Sequence, residues 1–176
     1  MPTEEKPAAI PEQWNSGAAT EADSMKAITL TQPWATLVAI GAKRIETRSW
    51  STSYRGPIAI HAAKGFPGEA KRFCESRMVC WALGWRARPP QITQEWLDYM
   101  AARIKSLPLG CVVATATVVN CIQAELIRTH VQPFTEQEEA FGNYEQRRFG
   151  FLLDNVVALS EPIPAKGALS LWEWNA

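Results

Sequence analysis

Nine residues, Cys111 to Val119, read CVVATATVV with a period of two. Val112, Ala114, Ala116 and Val118 fall on one side, Val113, Thr115, Thr117 and Val119 on the other. Only a pleated strand keeps i, i+2 and i+4 on one face, so this segment commits the chain to a sheet. Further strands are predicted over Lys26 to Leu30, Ile45 to Trp50, Pro57 to Ala62, Phe149 to Leu153 and Ala168 to Trp174. The second and third of these read as a pair joined by the polar turn Ser51 to Gly56, and the run EPIPAKG separates the last two.

Helical patterns interrupt the strands. Pro33 suits a first helical position, Trp34 to Ile40 is apolar, and Gly41 stops the helix. Gly68 to Leu83 and Thr93 to Lys105 are helical in character, with Arg86 to Pro90 as the breaker. Thr135 to Glu138 reads T-x-x-E, a capping box that opens a short helix ending near Gly142. Several strands with short helices at their connections imply an α+β fold built on a small, partly closed, mixed β-barrel with peripheral helices.

At 176 residues, 47% of them hydrophobic, the chain suits one domain with a real core. Residues 1–24 lack apolar periodicity and are expected to form a flexible N-terminal arm. The domain is expected over 25–176, with a helical insert at about 66–106 whose mixed charge suits a peripheral position rather than a binding surface. Lys plus Arg and Asp plus Glu balance at 18 each, so nucleic-acid binding would need a local basic patch. Cys74, Cys80, Cys111 and Cys121 have no metal-ligand spacing, and the two histidines are His61 and His130, so no metal is expected. With no leader pattern and no membrane-length apolar run, the expectation is a cytoplasmic protein with reduced thiols and no membrane partner.

Gly41 to Arg48, GAKRIETR, packs three cations, Lys43, Arg44 and Arg48, and the carboxylate of Glu46 behind a helix-ending glycine. In a regular strand Arg44, Glu46 and Arg48 share one face. Lys43 can meet Glu46 only from the turn after Gly41, before the strand becomes regular. The alternative is that Lys43 complements the preceding helix dipole while Glu46 pairs with Arg44 or Arg48 in solvent. Trp34 can stack on a base or fill the core. His61 and Lys64 stand at a strand end, facing a phosphate, a pocket or solvent. Tyr144, Glu145, Arg147 and Arg148 precede an apolar strand and offer a phenol and guanidiniums, or cap the barrel. Glu136, Glu138 and Glu139 read as a solvated helix face.

The stretch GAKRIETR resembles the hallmark G-x-K-x-x-E-x-R of the ASCH domain family, with Gly41, Lys43, Glu46 and Arg48 at the specified positions. QPWATLVAIG, PIAIHAAKG, FGNYEQRRFGFLL and EPIPAKGALSLWEW extend the likeness from about Met25 to the C-terminus. They are similar to the branch of endothelial-overexpressed-LPS-associated-factor-like proteins and bacterial N4-acetylcytidine amidohydrolases. The resemblance implies a PUA-like barrel and a cleft suited to RNA or a nucleoside. It also implies an amidohydrolase that removes the acyl group from N4-acetylcytidine or related N4-acylated cytosines.

The family's lysine falls on Lys43, while its threonine position holds Glu46. Its downstream glutamate falls among Glu136, Glu138, Glu139 and Glu145. Lys43 and Glu46 are the expected catalytic pair, Trp34, Arg48, Lys64, Tyr144 and Arg148 the expected substrate-binding residues. The expected partner is a small nucleoside, with no cofactor. A non-catalytic RNA-binding module is the alternative, and a ribonuclease, without a histidine pair to serve it, the third.

Overall fold

Residues 24–175 are described by the computed structural model, so the arm expected over 1–24 lies outside the described residues save for Ser24. Ser24 already belongs to the first strand, β1 (Ser24–Leu30). There follow α1 (Trp34–Ala39), β2 (Ile45–Arg48), β3 (Gly56–Ala62), α2 (Gly68–Phe73), α3 (Arg77–Ala82) and α4 (Gln94–Lys105). The second half comprises β4 (Cys111–Gln123), α5 (Ala124–His130), α6 (Glu136–Phe141), β5 (Phe149–Pro164) and β6 (Leu171–Asn175). The strands form one six-stranded mixed sheet in the order β2-β5-β4-β3-β1-β6. Only β1 and β3 run parallel; the other neighbours are antiparallel.

The sheet curls far enough to bring distant strands together. Laid flat, β2 and β1 would stand four strand spacings apart, about 19 Å, which no arginine side chain spans. Yet Arg48 Nη2 of β2 donates to Thr29 O of β1 at 2.6 Å. The curled face encloses Ile28, Leu30, Ile58, Ile60, Val118 and Phe151, while Ala27, Ala59, Val112 and Trp174 pack on its reverse. Because β2 and β6 end the sheet without pairing to each other, the barrel is partly closed and keeps an open seam between β2 and β1.

Several local expectations are corrected. β2 pairs with β5, not with β3: after Arg48 the chain leaves the sheet, and Trp50 packs edge-on against Phe151 at 4.9 Å. β4 runs four residues beyond Val119, and irregular pairing between Val112 and Ala114 puts Val112 on the reverse face, with Val113 in the main core. β5 reaches Pro164, through the run expected as a connection, because β2 covers only its first residues and leaves the proline-bearing tail at an edge. Gly68 to Leu83 is two helices, since Ser76 caps α3 by accepting from Val79 N at 3.3 Å. Pro33 stands at the N-cap of α1 rather than in its first turn, and α5 has no forerunner in the sequence reading. Among the described residues no helix is long and apolar enough to cross a membrane.

Candidate functional site

Gly41 takes φ +73°, the left-handed conformation that ends a helix at little cost when no Cβ is present. Its N–H donates to Val38 O at 2.8 Å and that of Lys43 to Leu37 O at 3.0 Å, folding the motif back over α1. Lys43 therefore precedes the regular strand and points inward at 1% exposure. Its ammonium donates to Ile45 O and stands 3.7 Å from Glu46 Oε2. The solvated alternative is thereby set aside. Burial pulls the Lys43 pKa below its ordinary 10.5, with the charges of Glu46 and Glu138 opposing the fall.

Glu138 is the unexpected member. Thr135 Oγ1 accepts from Glu138 N at 3.1 Å, as a capping box requires, but the Glu138 carboxylate does not return to its own helix. It accepts from Arg44 N at 2.9 Å and Ile45 N at 3.0 Å, and the Tyr144 hydroxyl donates to Glu138 Oε1 at 3.4 Å. Burial, then the Glu138 charge, pushes the Tyr144 pKa up and keeps the phenol a neutral donor. Beside Glu138, Gln137 Nε2 donates to Ala42 O at 2.6 Å, so α6 grips the motif loop at successive residues.

Glu46 faces outward from this buried base. Arg48 Nε stands 3.0 Å from its Oε1 while Arg48 Nη2 reaches Thr29 O, so one guanidinium binds the carboxylate and crosses the seam. The seam opens into a cleft of about 370 Å³, within the size range of small-ligand pockets. Glu46 is its one carboxylate among the described residues, with Thr29, Thr31, Thr47, Asn143, Arg48 and Arg148 as further polar lining. Arg148 Nη2 donates to Thr47 O at 3.1 Å, and its Nε is enclosed without a hydrogen-bond partner among the described residues. Trp34, Phe73 and Phe141 make an aromatic wall. Trp34 stacks on Phe73 at 5.0 Å between centroids and donates its indole N–H to Phe141 O at 2.9 Å.

Of the residues expected to bind substrate, Trp34, Arg48 and Arg148 line the cleft with Glu46. Lys43 lies behind Glu46 and does not reach the cleft wall; Tyr144 is buried and holds Glu138. Lys64 lines a different cavity. Glu138 is not on a solvated face, whereas Glu139 pairs with Arg128 on the surface and Glu145 accepts from Asn143 Nδ2 at 3.4 Å. Phe73 overturns the expectation that the insert stays away from binding surfaces, since α2 places it in the cleft. Nothing local marked it. Asn143 and Thr47 lie inside stretches already singled out, and Asn143 N donates to Thr47 Oγ1 at 3.1 Å. Among the described residues no three His, Cys, Asp or Glu side chains gather as metal ligands.

Mouse and human Activating signal cointegrator 1 are 24% identical to this chain over 155 residues, 85% of its length. The chain spans 22% of the length of those curated relatives. A crystal structure of a mutant ZmASCH protein from Zymomonas mobilis aligns with 80% of this chain and 75% of its own, at 14% identity and a TM-score of 0.42. The ASCH domain matches residues 28–159, a span that holds the whole Gly41 to Arg48 motif and every residue lining the cleft, and the chain belongs to the ASCH domain family.

Proposed function

We propose that the cleft binds an N4-acylated cytosine nucleoside such as N4-acetylcytidine and hydrolyses its amide, with Glu46 as the group that meets the reacting atoms. The observation that carries this reading is the position of Glu46, facing a nucleoside-sized cleft between buried Lys43 and Arg48. Amide hydrolysis needs a base for water, charge to meet the oxyanion, and a proton for the leaving nitrogen. Glu46 takes one proton from water as the water oxygen bonds to the acyl carbon. The guanidiniums of Arg48 and Arg148 offer positive charge to the oxyanion. The C–N bond then breaks as Glu46 returns the proton to N4, giving cytidine and the carboxylic acid. Lys43, too enclosed to touch substrate, is a positioning residue that holds the Glu46 carboxylate through Nζ. The aromatic wall supports a flat base, with the face of Phe73 toward Trp34 already occupied.

The test is cytidine release from N4-acetylcytidine. Glu46→Gln is expected to lower kcat by about 10²–10⁴-fold, the usual worth of a general base, with the circular dichroism spectrum unchanged. Absence of turnover by the folded wild type would sink the hydrolase reading. A second reading, a non-catalytic grip on RNA, draws on the same two cleft guanidiniums as phosphate partners. It predicts RNA affinity that falls steeply with salt, whereas the uncharged nucleoside should bind with little salt dependence.

A further inference from the structure

Thr29 has two sides. Its backbone carbonyl meets Arg48 in the cleft, whereas its hydroxyl donates to Ala168 O at 3.1 Å and accepts from Trp172 Nε1 at 3.1 Å. It is thereby a wall shared with a second cavity, of about 820 Å³, between the ends of β1 and β3 and the strap Pro164 to Leu169 that joins β5 to β6. The strap is tied down at separate points: Ala165 N donates to Gly110 O at 3.0 Å, His61 Nε2 meets Ala165 O at 3.1 Å, and Thr29 holds Ala168. Gly167 permits this fit, because a Cβ there would lie 2.6 Å from His61 Nδ1. His61 is 2% exposed, and its Nδ1 has no hydrogen-bond partner among the described residues.

The charge of this cavity is one-sided. Lys64 and Lys166 stand on its lining, neither is ion-paired with a described residue, and no carboxylate lines it. Because Ala165 O can only accept, His61 Nε2 carries the hydrogen, and burial favours the neutral ring, so the positive charge belongs to the lysines. In a chain whose charges cancel overall, two unpaired cations on a concave, partly apolar wall make a local positive field. We infer that this cavity is an anion subsite, in which Lys64 and Lys166 take a phosphate carried by the ligand whose base occupies the neighbouring cleft. The inference rests on the nucleoside reading of the cleft and names a nucleotide, rather than a bare nucleoside, as its ligand. Its volume exceeds the needs of a phosphate alone, and exposed Leu109 and Leu169 offer apolar contact to a further sugar or base.

The test compares the affinities of N4-acetylcytidine, its 5′- and 3′-monophosphates and a dinucleotide containing it, for wild type and for the Lys64→Gln/Lys166→Gln double variant. At least one phosphate-bearing ligand should bind wild type about tenfold more tightly than the nucleoside at low salt. The double variant should lose that advantage while its nucleoside affinity stays unchanged. A monophosphate advantage identifies a terminal phosphate, and an advantage confined to the dinucleotide identifies a phosphodiester. Equal affinity across the ligands in wild type, or an advantage that survives in the double variant, would overturn the inference. If no nucleoside binds, the reading of the cleft fails by itself, and inorganic phosphate then decides the subsite. Saturable amide shifts of Gly110 and Gly167 that vanish in the double variant support it, and their absence in wild type overturns it.

Discussion

A carboxylate at 6% exposure needs donors, and Glu138 finds them in the motif loop rather than in its own helix. Glu138→Gln would turn one acceptor oxygen into a donor facing a backbone N–H. It is therefore expected to destabilise the fold by about 1–3 kcal/mol, seen as a lower urea midpoint, with turnover falling in parallel as Lys43 and Glu46 lose their register. Lys43 carries a pH signature of its own. Burial lowers its pKa in the folded chain, so between that lowered value and 10.5 the unfolded chain holds a proton that the folded chain has released. Stability should then climb with pH across this window, and Lys43→Met should flatten the climb in urea titrations run from neutrality to pH 10.5. The partnership of Lys43 and Glu46 was one of two readings the sequence left open, because Gly41 can place Lys43 outside the strand's alternation without requiring it to turn inward. Glu138 was not, because the same T-x-x-E pattern serves an exposed capping box, and only the tertiary packing of α6 on the motif loop separates the two.

At the scale of elements, the alternating segments were readable and their partners were not. Period two says that Ile45 to Arg48 is a strand, but nothing in four residues says that Phe149 to Leu152 lies opposite. The pairing is enforced by a close approach: a Cβ on Gly150 would stand 2.3 Å from Ile127 Cδ1 and 2.9 Å from Ile45 Cγ2. Gly150→Ala should thus push α5 and β2 off β5, costing about 1–3 kcal/mol. For a chain of this size that is a fall in Tm of about 2–4 °C per kcal/mol. Because Gly150 pairs with Thr47, a cleft residue, ligand affinity should fall in the same variant. Phe73 shows the same limit from the other side, since a short helix in an insert carries no local sign of which cleft it will complete.

Across the whole molecule, the curl of the sheet matters more than its strand count. The molecule carries two concave regions, one at the open seam between β1 and β2 with a carboxylate among guanidiniums, the other under the strap between β5 and β6 with lysines as its only charged side chains. Binding of an uncharged nucleoside should change less than about twofold when salt is raised from low to physiological strength, because no phosphate is neutralised and no counterion released. Titration calorimetry at both strengths checks this, and a steep loss would contradict a site that takes the base and sugar without an ion.

Arg48 is tied at one end to the carboxylate of Glu46 and at the other to the backbone of Thr29, so it acts as a cross-brace between strands that share no ladder. Occupancy and stiffness are therefore the same variable here: whatever tightens the brace also aligns Glu46, and whatever pries the seam apart slackens it. Hydrogen exchange at the β2 amides should slow when the cleft fills. An Arg48 substitution should quicken that exchange in the empty protein, so a loss of activity there reports a loosened frame as much as a missing charge.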